Sequence, residues 1–429
     1  MAERLDRVRG DATGLIVPAH VDALRADGAE WLTRAFHAFG SLPADNGVAE
    51  VVGLTPCPGG STGAKFLLDV VWRKPDPALH SRLFVKFSRD FDDERRDGQR
   101  EEMAGEARLL AIGREAGFPI RVPAGYFADY HAATGTGLVI TETIAFGQDG
   151  IEPHRRKAMD HLTLGDPLEH YRAIVTALAR LAGAHRAGQL GPRVTTQFPF
   201  DPQAASADPI RYTEAALVAE LDRCEAFARD CPQLLPAEVR TPAFLARMRA
   251  DALLIRRHEP AIRGALLADP RMIALCHWNA HIDNCWFWRD GEGLHCGLID
   301  WGRAGQLTFG SILWGALSAA HHAIWDEHLD DLTALFAAEY QTAGGPAVTA
   351  GEIREHLTLH MAAMGVARVL AFPEIIRFRL PECVSATGPF DPMFHAVDPA
   401  RNCRQVYVNF LQFWRRQDFG AAVRRLVSA

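Results

Sequence analysis

The segment Leu275–Trp288, LCHWNAHIDNCWFW, concentrates groups that bind metals and move protons: His277, Asn279, His281, Asp283 and Asn284. Asp300 follows in GLIDWG. Asn284 and Asp300 both offer hard oxygen atoms. That suits Mg2+, which takes a few protein oxygens and fills its shell with water and substrate phosphates. Asn279 is an amide with no usable basicity, so it cannot take a proton from a substrate hydroxyl. Asp283 offers a substitute carboxylate in the same loop, provided its geometry brings it to the reacting proton.

A second set of candidates lies nearer the N-terminus. PCPGGSTGAKFLL places Gly59, Gly60, Ser61, Thr62 and Gly63 between two strand-like runs. A glycine-rich turn lets the backbone approach phosphates closely and offers N–H groups to them. Taken alone, the same residues also make an ordinary hairpin turn. The following strand ends in LFVKFS with Lys86 between apolar residues, and the next helix carries Glu102 and Glu106 one turn apart. A strand lysine held by a helix glutamate can act as a point charge over phosphates. The order of the series, glycine turn, lysine, glutamate, hairpin, ITET, says more than any member of it.

Elements must position these groups. Residues 20–40 have helical spacing and stop at a glycine. From 48 to 88, VAEVVGLTPC, KFLLDVVWR and SRLFVKFS read as three antiparallel strands. A helix is expected over 95–117, then a hairpin around AATGTG. After 150 helical patterns dominate, interrupted by MIALCHW, CWFWRD and LHCGLIDWG, short strands that flank polar loops. The expected domains are a helical extension over 1–45, a nucleotide-binding lobe over 46–147 and a helical lobe over 148–429.

Composition narrows the function. Hydrophobic residues make up 48% and charged residues 23% of the 429, and the formal charge is −7 with a pI of about 6.2. A mildly acidic chain lacks the basic footprint of non-specific nucleic-acid binding. Eight cysteines show no CxxC pair, which reads as reduced thiols. With no apolar run near the ~20 residues of a membrane helix, a soluble cytoplasmic protein is expected.

These residues in this order resemble the aminoglycoside phosphotransferase and choline kinase-like superfamily, including its ecdysteroid-kinase-like branch. Members typically show hGDxHxxN followed by xxIDW or xxIDF; this chain shows HWNAHIDN and GLIDWG. The resemblance runs from about residue 48 to 325. It implies an α+β, two-lobed protein-kinase-like fold, with a small antiparallel-sheet N-lobe and a large mainly helical C-lobe. It also implies ATP, Mg2+ and a small-molecule acceptor. Carried over by position, Gly60, Ser61, Thr62 and Gly63 would cover the phosphates. Lys86 would contact them and pair with Glu106. Glu142, Thr143 and Ile144 would line the adenine hinge, and Asn284 and Asp300 would hold the metal. The departure is at the catalytic Asp, whose place Asn279 takes, with Trp278 in place of the preceding Gly.

Three other readings stand beside the phosphotransferase. Zinc is suggested by Cys276, His277, His281, Cys285, His295 and Cys296, but the C-x2–4-C spacing is missing. A pseudokinase would bind nucleotide and transfer little or nothing, as Asn279 suggests. A helical scaffold with an incidental polar loop explains His277 but leaves the ordered series unexplained. The sequence names neither the acceptor nor the oligomeric state.

Overall fold

Strand propensity and alternation are realised most fully between residues 48 and 142. In the computed structural model, which describes residues 5–115 and 117–428, the strands β3 (Val48–Pro56), β4 (Lys65–Trp72), β5 (Arg82–Phe87), β6 (Gly125–His131) and β7 (Thr136–Glu142) form one sheet. Its order is β3-β4-β5-β7-β6 and every pairing is antiparallel. Side chains alternate between the two faces of a strand. One face therefore carries Leu68, Val70, Leu83, Val85, Phe87, Leu138 and Ile140, which pack with Trp31, Leu32 and Phe36 of the helix Val21–Phe39. The other face carries Val139 and Ala128, which pack with Met103, Ala107 and Leu110 of the helix Met103–Gly113. Lys86, opposite Val139 in register, points to this second face.

The chain divides into two units. The first runs to Ile151 and also takes in Leu190–Phe198 and Gly297–Ala304. The second holds Glu152–Gln189, Pro199–Cys296 and Gly305–Ala429. The α+β character is the expected one, with an antiparallel sheet in the first unit and mainly helices in the second. Residues up to 45 are not a separate helical extension. They form the strands β1 (Arg7–Arg9) and β2 (Ile16–Pro18) as well as the helix, and Val8, Val17, Leu24 and Trp31 belong to the sheet's core. The helix ends where Gly40, at φ 72°, returns its N–H to His37 and Phe36 carbonyls, a left-handed cap that glycine adopts without strain. The expected 95–117 helix is broken. A short helix Glu94–Asp97, capped by Asp93, precedes a 3-10 turn, and the long helix begins only at Met103.

The second unit is built on long helices, among them Pro167–Arg186, Glu214–Asp230, Pro242–Arg257, Ala350–Ala367 and Asp398–Gln417. Pro167 sits in the first turn of its helix and Asp166 caps it by accepting from Leu168 N, a start signal legible in the sequence. Strand β8 (Ile273–Cys276) leads into the polar loop, and β9 (Cys285–Asp290) and β10 (Gly293–Leu298) follow it. A fourth strand, β11 (Gly305–Thr308), pairs antiparallel with β8. Among the described residues no single helix is long and apolar enough to cross a membrane.

Candidate functional site

The first unit assembles a buried ion triad. Lys86 is 4% exposed, and its Nζ donates to Glu106 Oε2 at 2.6 Å and to Asp300 Oδ1 at 2.8 Å. Burial opposes the charge on this lysine, but the two carboxylates outweigh it and hold the ammonium protonated well above its ordinary range. Burial likewise pushes Glu106 up, against the pull of Lys86. A buried charge needs a partner of this kind, since an isolated one is costly to desolvate.

Small residues let the triad close. A Cβ on Gly105 would lie 2.8 Å from the Gly302 carbonyl oxygen, and one on Gly302 would lie 3.3 Å from Glu102 Cβ. The Met103–Gly113 helix thus rests directly on the backbone that carries Asp300. Arg303 Nε reaches Glu102 at 2.9 Å across the same contact. Trp301, 3% exposed, donates Nε1–H to Leu298 O at 2.8 Å, and Leu298 N donates to Arg121 O. Asp300 itself is left-handed, at φ 63°. Strain of this type in a non-glycine residue collects at functional sites. Its carboxylate is 49% exposed on the side-chain scale, so an ion can reach it.

The glycine turn and the segment 142–144 belong to the same unit. Gly59, Gly60 and Gly63 all have positive φ, at 116°, 72° and 54°. A Cβ on Gly63 would lie 1.8 Å from Phe87 O, so the turn is closed down on β5 and only glycine fits there. In the segment 142–144, the Glu142 carboxylate accepts from Ala124 N at 2.7 Å and pairs with His80 at 3.1 Å, and Thr143 N donates to Arg82 O. These groups are spent on holding the segment. The Ile144 N–H makes no hydrogen bond among the described residues, whereas its carbonyl accepts from Phe146 N at 2.9 Å.

The remaining candidates, Asn279, Asp283 and Asn284, lie in the second unit. Asn279 N donates to His277 Nδ1 at 3.0 Å, and Asn284 Nδ2 donates to Asn279 O at 2.8 Å. That bond uses the amide's donor side and leaves Oδ1 as its acceptor, the atom a hard cation takes. A Cβ on Gly315 would lie 1.8 Å from Trp278 O, so the helix Phe309–Leu317 backs directly onto the loop. His281 hydrogen-bonds the Ala316 backbone, and burial, helped by Lys157 and His277, holds its ring neutral. Asp283 pairs with Lys157 at 3.5 Å, and its carbonyl accepts from His154. Its Oδ1 is buried and finds no partner among the described residues.

The cysteines near this loop behave as buried donors. Cys276 Sγ donates to Leu178 O and Cys285 Sγ to His281 O. Burial raises Cys276 to about 12 and Cys285 well above its ordinary value. Zinc binds thiolates, so these thiols are poorly disposed to it. Among the described residues no cluster of His, Cys, Asp and Glu could hold a metal ion.

Lys65 escaped the sequence reading. Its Nζ lies under the glycine turn and donates to Gly59 O at 3.2 Å and Thr62 O at 2.7 Å. The available signal was a lysine opening an apolar strand immediately after the glycines, a twin of Lys86 in VKF. Gly105 and Gly302 were also passed over, since nothing local marks two glycines far apart in sequence as one contact.

No protein-family model matches the sequence, and no curated protein matches it either. Similar solved structures include a choline kinase from Cryptosporidium parvum (12% identical, TM-score 0.43, covering 86% of this chain and 91% of that one). Another is a choline/ethanolamine kinase family protein from Mesorhizobium loti (16%, TM-score 0.40, 92% and 99%). A third is an aminoglycoside phosphotransferase from Streptomyces rimosus (16%, TM-score 0.36, 73% and 93%).

Proposed function

We propose that the chain is an ATP-dependent phosphotransferase that moves the γ-phosphoryl group to a hydroxyl of a small molecule, with Mg2+ assistance. The observation that carries this reading is Lys86, buried and fixed between Glu106 and Asp300 on the sheet face beside the glycine turn. An ammonium so placed is a fixed point charge for phosphate oxygens, and Glu106 keeps it aimed. The turn contributes N–H groups to the same phosphates, and the Ile144 N–H is a donor for the base. Asp300 and Asn284 each supply an oxygen suited to Mg2+, and Mg2+ when bound would offset the charge of the transferring group.

Phosphoryl transfer asks the protein mainly for positioning and charge stabilisation. Asn279 can hold the acceptor hydroxyl by hydrogen bonding, but it cannot remove the proton. In this reading Asp283, the carboxylate of the same loop, takes that proton. A second reading, a nucleotide-binding pseudokinase with little or no transfer, is favoured by the amide at Asn279.

Mg·ATP is expected to raise the melting temperature of the protein, and Asp300→Asn is expected to abolish that rise. A parent protein whose melting is indifferent to Mg·ATP would exclude both readings.

A further inference from the structure

Two lysines face one another across β4 and β5. Lys65 and Lys86 are cross-strand partners, so both side chains leave the sheet on the same face. Like charges directly opposite are destabilising, and both ammonium groups are largely withdrawn from water. Lys86 is offset by Glu106 and Asp300. Lys65 has no ion pair among the described residues and is held by two neutral carbonyls, Gly59 O and Thr62 O.

The charged groups around Lys65 are Lys86 and Arg96 on the cationic side and Asp300 and Glu106 on the anionic side. Arg96 is paired by its own carboxylates, Asp90 at 3.6 Å and Asp93 at 3.5 Å, so Lys65 and Lys86 are left with Asp300 and Glu106, both of which already take a hydrogen bond from Lys86. Burial, then Lys86, lowers Lys65 to about 8. The turn is shaped around the lysine as well, since a Cβ on Gly60 would lie 2.5 Å from Lys65 Nζ.

We propose that Lys65 is a second phosphate-binding lysine, whose ammonium exchanges the Gly59 and Thr62 carbonyls for the phosphate chain of a nucleoside di- or triphosphate. The inference rests on the nucleotide reading above and adds a residue to it. A hydrogen bond to an ionised acceptor is about twice as strong as one to a neutral carbonyl. A polyanion also offsets the repulsion between Lys65 and Lys86. The glycine turn and the phosphates then share one cation, which couples closure of the turn to the presence of a phosphate chain. A base without phosphates gains nothing from it.

The test is calorimetric titration of the full chain with Mg·ADP and with adenosine, using the parent, Lys65→Gln and Lys65→Arg. Gln keeps a donor for the two carbonyls and removes the charge; Arg keeps the charge. Lys65→Gln is expected to weaken Mg·ADP by about tenfold, equivalent to ~1.4 kcal/mol, and to leave adenosine within about twofold. Lys65→Arg is expected to bind Mg·ADP within about threefold of the parent. The proposal is overturned if Lys65→Gln binds Mg·ADP like the parent, or if ADP and adenosine weaken equally, as a mere prop of the turn would require. In both cases the nucleotide reading stands, because the parent binds. A parent that binds no Mg·ADP removes both.

Discussion

Lys86 and Asn279 show two ways of holding a candidate position in place. Around Lys86, three charged side chains from a strand, a helix and a distant loop meet within 2.8 Å, and the charge itself is the structure. Around Asn279, the loop is held by its own backbone: Asn279 N bonds His277, Asn279 O accepts from Asn284, and Gly315 lets a helix press on Trp278 O. The Asn279 side chain bears none of that load. Altering Lys86 therefore perturbs fold and function together, whereas altering the Asn279 side chain changes chemistry alone.

The largest expected effect follows from this contrast. Asn279→Asp is expected to raise acceptor-dependent ADP release by up to roughly 10²–10⁴-fold, the full worth of general-base help less the share that Asp283 already supplies, with little change in melting temperature. A panel of hydroxyl-bearing acceptors assayed with both proteins measures it. Silence from both proteins with every acceptor would favour the pseudokinase reading.

Acid should also separate the two units. In the second, burial lowers His185 and His356 to about 4 and His360 to about 3. His185 Nδ1 accepts from Leu275 N and His356 Nδ1 from Gly310 N, bonds that only a neutral ring can make. The unfolded imidazole titrates near 6.5, so the unfolded state binds the proton first. Stability from these groups is present above pH 6.5 and is lost as pH falls from 6.5 towards 4. In the first unit, the hydrogen bond that His80 donates to Glu142 raises His80, which works in the opposite direction. Hydrogen exchange at pH 7 and pH 5 should show protection falling in Pro167–Arg186 and Ala350–Ala367 before it falls in β3–β7. Uniform loss would contradict this ordering.

Smaller effects probe the close approaches. Ala in place of Gly inside a helix ordinarily stabilises by up to ~1 kcal/mol. Gly105→Ala and Gly315→Ala are each expected to destabilise instead, by about 1–3 kcal/mol, because the new methyl meets a carbonyl. Denaturant melts measure the sign. Gly105→Ala should also weaken nucleotide binding by displacing Glu106, whereas Gly315→Ala should leave it intact.

Much of this was legible in the residues. The strands at 48–88 and the hairpin at 125–142 follow from alternation and turn residues, whereas the pairing of Lys86 with Glu106 is what the resemblance implies and the contact of Lys86 with Asp300 has no sequence signal. What stayed hidden depends on partners distant in sequence. β11, GQLT, has almost no apolar signal and exists because β8 is there to pair with it. The break in the 95–117 helix follows from Asp93 capping a separate turn and from Gly98 after it. The first 45 residues look like an extension until Trp31 and Phe36 are seen packing on the sheet. Lys65 becomes meaningful only once register sets it against Lys86.

The decisive measurement is equilibrium binding of Mg·ATP to the parent and to Lys86→Met, a substitution that keeps the stem and removes the ammonium. The account predicts that the parent binds and that Lys86→Met loses at least about 100-fold in affinity, ~2.7 kcal/mol. Binding by Lys86→Met as tight as the parent's would contradict it.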